Sequence, residues 1–209
     1  ASYVEMMRCW SLTGWNYEIF NDTAARYKFT NGTGELVDAI AKYGGFDVEL
    51  NTSVASVRQS DAGVVVTTTN GDVVHAKRAV VTVPLNLLNS VSFDPPLSAA
   101  KQEASTLKHV GGGYKVFFEV EGDPGAVMTL SRSTDSPLIG SFTYKRGEQH
   151  SVLAGFSLEP AALDKSVDEW QAVLEEFLPG VKLLSTFGHD WGDDALSQGS
   201  WCTYRPGTI

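Results

Sequence analysis

A period of two residues runs through one stretch of the sequence, YKVFFEVE at residues 114–121. Apolar side chains at every second position alternate with Lys115, Phe117 and two glutamates, so the second face is not simply polar. This spacing is typical of a β-strand that buries one face. Shorter patterns of the same kind predict further strands at 127–131, 138–144, 151–157 and 183–189. The chain beyond residue 113 is therefore predicted to be rich in strands.

One helix interrupts this series of strands, at residues 166–178. Its apolar residues recur at three- and four-residue intervals, which is the spacing of one helix face. The members of this face are Val167, Trp170, Val173, Leu174 and Phe177.

The first half of the sequence mixes helices and strands. Helices are predicted at 3–12, at 35–43 before Gly44-Gly45, and after Ser98 as a helix cap. Strands are predicted at 47–50, 52–58, 64–69 and 72–75, with Asn70-Gly71 as a hairpin turn. The unbroken apolar run Ala79–Val83 predicts a strand that is buried on both faces. The fold class is therefore α+β, with mixed β-sheets, flanking helices and a module boundary near 104–113.

Composition and motifs exclude several function classes. The 209 residues carry a net charge of −9, which argues against nucleic acid as a partner. The histidines lack metal-ligand spacing, so no metal is expected. Cys9 and Cys202 are interpreted as reduced, buried thiols. No apolar run has transmembrane length, and no G-x-G-x-x-G phosphate motif follows a strand.

Four segments, taken in order, resemble the flavin-containing amine oxidases of the monoamine oxidase family. They are KFTNGTGEL at 28–36, the block at 48–96 that includes AVVTVPL, GYKVFF at 113–118, and WGDDALSQGSW at 191–201 with Tyr204 and Pro206-Gly207. Asn31 stands where the family has a glycine, and asparagine tolerates a left-handed backbone there. The resemblance covers most of residues 27–209.

The resemblance implies an internal or C-terminal piece of a two-domain FAD-dependent amine oxidase fold. Residues 1–26 and 104–189 would then belong to the substrate domain. Residues 27–103 and 190–209 would belong to the FAD-binding domain. The family's glycine-rich phosphate motif does not occur in this sequence, so the isolated chain is expected to be an incomplete and inactive part of the enzyme.

The implied reaction is oxidation of an amine to an imine, with FAD as cofactor and O2 reduced to H2O2. The resemblance makes Lys115 and Trp201 the catalytic residues, with Lys115 holding a water near the flavin and Trp201 forming one wall of an aromatic cage. Because Ser200 stands where some relatives carry a flavin-linked cysteine, FAD should be held non-covalently. The implied cofactor-binding residues are Val54, Thr82, Val83, Trp191 and Ser200.

Simpler interpretations stay open for the two catalytic candidates. From the pattern alone, Lys115 is a solvated lysine on a half-exposed strand, and Trp201 is a packed core residue. The alternative functions are oxidation of amino acids or polyamines by the same fold, and a non-catalytic binding module that lacks FAD. An intracellular location, cytoplasmic or peroxisomal, is expected, and association into a homo-oligomer is compatible with unpaired strand edges.

Overall fold

The computed structural model describes residues 3–16, 18–19, 27–133 and 135–207. The chain divides into two compact units, Ala1–Lys108 with Thr203–Ile209, and His109–Cys202. The change from one unit to the other at Lys108 and His109 falls inside the interval of 104–113 inferred from the sequence. The assignment of segments to a flavin or a substrate domain stays a prediction.

The unit His109–Cys202 is built on a five-stranded antiparallel sheet. Its strand order is β6-β7-β8-β5-β9. The strands are β5 (Tyr114–Glu121), β6 (Met128–Leu130), β7 (Gly140–Lys145), β8 (His150–Ser157) and β9 (Leu183–Gly188). The alternating stretch at 114–121 is therefore a strand over its whole length, and it lies between two partners.

Helix α4 (Val167–Phe177; α1 to α3 belong to the other unit) covers one face of this sheet. It begins with a capping box, in which the Ser166 hydroxyl accepts from the Glu169 amide and the Glu169 carboxylate accepts from the Ser166 amide. Trp170 is fully buried, its indole N–H donates to the Ala162 carbonyl over 3.0 Å, and its ring meets Phe118 edge-on at 5.0 Å. A satisfied indole and a packed ring make Trp170 the centre of the core.

The two faces of β5 have different roles. Val116, Phe118 and Val120 are buried in the core beneath α4. Because side chains alternate along a strand, Lys115 and Phe117 lie on the opposite face. The core side of β5 thus holds the strand rigidly, and the other side is left for Lys115 and its neighbours.

The other unit carries three α-helices and a four-stranded sheet among its described residues. The helices are α1 (Tyr3–Ser11), α2 (Thr33–Gly44) and α3 (Ala99–Leu107), with a 3-10 helix at Leu85–Ser90. The strands are β1 (Val54–Ser60), β2 (Gly63–Thr68), β3 (Val73–Ala76) and β4 (Ser92–Asp94), in the order β3-β2-β1-β4. Only β1 and β4 pair in parallel.

The hairpin expected at Asn70-Gly71 joins β2 to β3, with a loop one residue longer than a two-residue turn. The Gly71 amide donates to the Thr68 carbonyl over 3.1 Å, and the Thr68 amide donates to the Asp72 carbonyl over 3.0 Å. Gly71 has a φ of +90°, so the left-handed position of this three-residue loop is occupied by glycine.

Two expected strands are wrong. Residues 47–50 form no strand, and Val48 and Leu50 are exposed. Ala79–Val83 pairs with no strand among the described residues, and Val80 is 88% exposed rather than buried. A strand requires a neighbour for its backbone N–H and C=O groups, and among the described residues neither segment pairs with a strand of the four-stranded sheet.

Three smaller expectations hold only in part. The turn before α2 is present, but its positive φ of +89° falls on Gly32 and not on Asn31, whose amide group donates to the Glu35 carboxylate over 3.0 Å. Ser98 stands at the cap position of α3 but its side chain makes no capping hydrogen bond. Cys202 is an exposed free thiol and Cys9 a half-buried one, because their segments do not pack into a core.

Candidate active site

Lys115 is the second residue of β5 and lies directly opposite Phe156 of β8. Its ammonium nitrogen is 5.5 Å from the centre of the Phe156 ring. A cation over an aromatic face at partial exposure gains about 0.5–1 kcal/mol, enough to favour this orientation of a flexible side chain. Lys115 is therefore directed along an aromatic surface and is not simply a solvated lysine.

Trp201 completes a row of three side chains on this face. Its ring centre is 6.0 Å from that of Phe156, with 41° between the ring planes. Trp201 is 44% exposed, so it is not the packed core residue of the simpler interpretation. Phe156 stands between the two residues that the sequence selected, and it brings them into one group.

Two glycines, Gly111 and Gly113, leave the space that Trp201 occupies. A Cβ atom on Gly113 would lie 2.7 Å from the Trp201 ring, and a Cβ atom on Gly111 would overlap the Trp201 carbonyl oxygen. Gly113 also has a φ of +150°. Only glycine fits both positions without displacement, so the run Gly111-Gly112-Gly113 forms a cradle for Trp201.

Ser200 anchors the same segment from its other side. Its backbone amide donates to the Gly111 carbonyl over 2.9 Å, and its hydroxyl donates to the same oxygen over 3.1 Å. A serine hydroxyl forms no thioether, so this position offers no covalent link to a flavin. A contact between Ser200 and a flavin stays a prediction.

Trp191 begins the loop that leads to Ser200. The ring is 49% exposed and meets the His189 imidazole edge-on, with 4.4 Å between ring centres. The Trp191 carbonyl accepts from the Gly199 amide over 2.7 Å. Trp191 therefore stabilises the loop, whereas its predicted contact with a flavin has not been tested.

His189 and Asp194 form a close polar pair beside Trp191. The His189 Nε2 atom is 2.8 Å from the Asp194 Oδ2 atom. This hydrogen bond, together with one from the Leu196 amide, holds the pKa of Asp194 below its ordinary value. The carboxylate is therefore ionised throughout the neutral range.

A second aromatic group lies on the Lys115 face, one step further along β5. Phe117 stacks on Phe187 of β9 with 4.9 Å between ring centres, and it meets Tyr144 of β7 edge-on at 5.4 Å. Phe187 is 53% exposed. The face that carries Lys115 is thus largely aromatic.

The remaining cofactor-binding candidates belong to the other unit. Val54 opens β1 opposite Thr68, and it is about one-third exposed. Thr82 and Val83 are the last two residues of the unpaired run Ala79–Val83 and are exposed. A groove of about 860 Å³ in this unit includes Val83 but neither Val54 nor Thr82. The structure therefore does not join these three residues in one site, and their contact with a cofactor stays a prediction.

The described residues contain neither a candidate metal site nor a helix that could span a membrane. Over those parts of the chain, no group of three or more His, Cys, Asp or Glu side chains comes together in a way that would hold a metal ion. Within the same ranges, no helix has the length and apolarity needed to cross a membrane.

Sequence reasoning missed Phe156, the glycine cradle and the pair of His189 with Asp194. The run Gly111-Gly112-Gly113 was a visible signal, since three consecutive glycines are unusual before a strand. Its role could not be inferred, because the residue that it accommodates, Trp201, lies 90 positions after Gly111. Phe156 becomes significant only when β8 is known to pair with β5 in register.

The architecture has a counterpart among solved structures. A putrescine oxidase bound to putrescine superimposes with a TM-score of 0.72 at 21% sequence identity, over 85% of this chain and 43% of that protein. At this identity the likeness concerns the fold alone, and the fold is that of an amine oxidase in part.

Sequence comparison defines the family. Residues 9–208 match the family described as flavin containing amine oxidoreductase, and the chain belongs to it. It is 37% identical to pseudooxynicotine dehydrogenase from a Pseudomonas species, over 99% of this chain. It is 28% identical to nicotine dehydrogenase from Pseudomonas putida, over 98% of this chain. The chain spans 42% of the length of each of these relatives.

The residues around Lys115 fit a flavin, the cofactor of this family. A flavin ring needs a flat apolar surface and hydrogen-bond donors at its nitrogens and oxygens. Trp201 and Phe156, whose ring planes are tilted by 41°, make this surface apolar and aromatic, and the Lys115 ammonium offers a long donor beside them. The chemistry of this donor set is therefore suitable for FAD.

Proposed function

We propose that the protein carrying this chain oxidises an amine to an imine, which water converts to a carbonyl compound, with non-covalent FAD as cofactor. When bound, FAD accepts the two electrons and the hydrogen that leave the carbon next to the amine nitrogen. The observation that carries this proposal is the row Lys115, Phe156 and Trp201 on one half-buried sheet face. Family membership over residues 9–208 supports it.

In this proposal Lys115 holds a water molecule and sets the local charge. Its ammonium donates a hydrogen bond to the water from a strand whose other face is buried in the core. A positive charge close to the substrate also disfavours a protonated amine, because two like charges a few ångströms apart repel. The neutral amine, whose lone pair is free, is therefore the form that the site selects.

Trp201 and Phe156 orient the substrate. Their rings lie at 41° to one another and so present two apolar walls to one molecule. The neighbouring group of Phe117, Phe187 and Tyr144 extends this wall along the sheet. An aromatic wall favours an amine that carries an apolar or aromatic part.

The proposed substrate class is an amine related to pseudooxynicotine or nicotine. The names of two relatives support this choice, at 37% and 28% identity. A polyamine is the second candidate, since a polyamine oxidase of Arabidopsis thaliana is 29% identical over 81% of this chain. An amino acid would require an arginine for its carboxylate; Arg8 and Arg132 lie in a helix and a loop, and Arg26 lies outside the described residues.

The electron acceptor is the second open choice. We propose O2, which takes up two electrons and two protons to give H2O2. The two nicotine-related relatives are named dehydrogenases, whereas the plant relative is named an oxidase, so an acceptor other than O2 is the alternative. A protein that reduces a dye rapidly and O2 slowly would favour that alternative.

Anaerobic bleaching of the flavin spectrum tests the proposal without assuming an acceptor. The protein is reconstituted with FAD and mixed under nitrogen with nicotine, pseudooxynicotine, putrescine or alanine. We expect the yellow absorbance to disappear with a nicotine-related amine, and the flavin to remain in solution after acid precipitation of the protein. A protein that binds FAD but is bleached by none of these amines would contradict amine oxidation, and a colourless protein would favour the non-catalytic binding module.

Lys115→Met separates a role for the ammonium from a general effect of charge. We expect the variant to retain FAD while the rates of amine oxidation and of flavin reoxidation fall by about 100-fold, the lower end of the range for loss of one positioned donor. Lys145→Met is the matched control, because Lys145 is an exposed lysine of the same sheet, on β7. Equal loss in both variants would contradict the assignment of Lys115.

A further inference from the structure

We propose that His189 is a positioning residue, whose hydrogen bond to Asp194 holds the loop 190–199 and thereby fixes Trp201 against its glycine cradle. The importance of this position for catalysis rests on the proposed function. The loop itself, however, is defined by contacts within the unit His109–Cys202 and can be examined in the chain as it stands.

Asp194 is the centre of the loop. One carboxylate oxygen, Oδ2, lies 2.8 Å from His189 Nε2, and the other, Oδ1, accepts from the Leu196 amide over 2.8 Å. The Asp194 carbonyl accepts from the Ser197 and Gln198 amides over 3.1 and 2.9 Å. Release of the carboxylate from His189 would therefore loosen the residue around which the loop is folded.

Two backbone hydrogen bonds connect the loop to the segment that carries Trp201. The Gly199 amide donates to the Trp191 carbonyl over 2.7 Å, and the next amide, that of Ser200, donates to the Gly111 carbonyl over 2.9 Å. Gly111 is the residue whose missing Cβ makes room for the Trp201 carbonyl. The first bond joins the two ends of the loop, and the second holds Ser200, the residue before Trp201, to the cradle glycine Gly111.

The connection from His189 to Trp191 is direct. The imidazole meets the indole edge-on, with 4.4 Å between ring centres, and His189 follows immediately after β9. A histidine suits this place because a flat ring can pack against Trp191 while one nitrogen reaches Asp194. When the imidazole is charged, the bond to the ionised carboxylate is charge-assisted and stronger.

Other charged groups lie on the segments next to His189. The loop carries Asp190 and Asp193, and β5, which pairs with β9, carries Lys115. Asp190 uses its carboxylate to accept from the Gly192 and Asp193 amides. Asp164 is a further acidic residue on a neighbouring segment, since the side chain of the preceding residue, Leu163, lies against Gly188 at the end of β9. Asp194 is the carboxylate within hydrogen-bond distance of the His189 ring, so the pair acts as one unit.

Amide hydrogen exchange in the purified chain tests the loop without any cofactor. We expect His189→Ala and Asp194→Asn to accelerate exchange at the Gly199 and Ser200 amides by about five- to tenfold, while the β5 and β8 amides keep their protection. His150→Ala is the control, because His150 also faces a carboxylate, that of Glu119, at 3.4 Å in the same unit. Unchanged exchange at Gly199 and Ser200, or equal acceleration throughout the sheet, would overturn the proposal.

Tryptophan emission gives a second readout, specific to the histidine. An imidazole in contact with an indole quenches its emission, so His189→Ala should raise the emission of Trp191. The rise should amount to at most about one fifth of the total, since Trp191 is one of five tryptophans. It should be absent when His189→Ala is made together with Trp191→Phe, and a rise that persists in that double variant would refute the ring contact.

Steady-state kinetics of the FAD-loaded protein link the loop to catalysis. We expect His189→Ala to lower kcat about tenfold with a smaller change in KM, because Trp201 would bind the amine but hold it less accurately. If the unaltered protein is not bleached by any amine, the proposed function fails while the exchange result stands. If bleaching occurs and His189→Ala leaves kcat unchanged, the positioning role fails and the proposed function stands.

Discussion

The contact between Gly113 and the Trp201 ring makes a strong prediction for Gly113→Ala. The added Cβ would lie 2.7 Å from the Trp201 Cζ3 atom, whereas an ordinary contact requires about 3.5 Å. The ring or the backbone must therefore move by nearly 1 Å. The φ of +150° adds strain for any residue with a Cβ.

The expected size of the effect has two parts. A residue with a Cβ at a positive φ costs about 1 kcal/mol, and the crowding costs about 1–2 kcal/mol more. Because Trp201 is 44% exposed, part of the strain is relieved when the ring swings away. We therefore expect Gly113→Ala to destabilise the chain by about 2 kcal/mol and to reduce kcat/KM of the complete enzyme by up to about 100-fold.

Chemical denaturation of four variants separates these two parts. Gly125→Ala measures the backbone strain alone, because Gly125 has a φ of +81° and nothing within 4 Å of its Cβ position. Trp201→Phe removes the Cζ3 atom, so Gly113→Ala made in that background should cost about 1 kcal/mol less than in the unaltered chain. If the cost of Gly113→Ala is the same in both backgrounds, the glycine does not cradle the tryptophan and the reasoning is refuted.

Three further predictions concern the core, a helix cap and pH. Trp170→Ala should cost about 4 kcal/mol in denaturant unfolding, because it removes the contact with Phe118 and leaves the Ala162 carbonyl without its donor; a loss below 1 kcal/mol would contradict the central place of Trp170. Ser166→Ala should cost about 1 kcal/mol and Ser166→Thr much less, as measured by thermal unfolding, since threonine preserves the capping box. The pKa of Asp194 is lowered in the folded chain, so its contribution to stability should be present above the ordinary carboxyl pKa and be lost as pH falls through the lowered one. The stability difference between the unaltered chain and Asp194→Asn should then be present at neutral pH and decline as pH falls below about 4, and a difference that stays undiminished at low pH would contradict this sign.

Local patterns were sufficient for the elements whose apolar face is covered in the core. The alternation at 114–121 predicted β5, and the helical spacing of Trp170 and Leu174 predicted the buried face of α4. In both cases the residues that the pattern selected are buried against one another. Periodicity thus predicts an element correctly where a partner surface is present.

The errors occur where that partner surface is missing. The run Ala79–Val83 has the composition of a buried strand, yet no described strand pairs with it. The apolar face of α2, which includes Leu36, Val37 and Ile40, is exposed for the same reason. Composition reports what a segment would bury, but pairing and packing depend on residues distant in sequence.

For the candidate site, sequence supplied the residues and structure supplied their arrangement. Lys115, Ser200 and Trp201 were identified through family resemblance, since nothing in their local pattern marks them. Phe156 joins Lys115 to Trp201 only through the register of β5 with β8. The pair of His189 and Asp194 spans a loop without any period, so no pattern predicted it.

The exposed run Ala79–Val83 bears on how the chain is handled in solution. Four apolar residues, three of them valine, and the β-branched Thr82 pair with no strand among the described residues, and they have the composition of an aggregation-prone segment. Lys77 and Arg78 precede the run and Pro84 ends it, and residues of these types act as gatekeepers against intermolecular strand stacking. Charge repulsion at this one site weakens at high ionic strength. We therefore expect fibrils to grow faster in concentrated salt, and faster still when Lys77 and Arg78 are replaced by neutral residues.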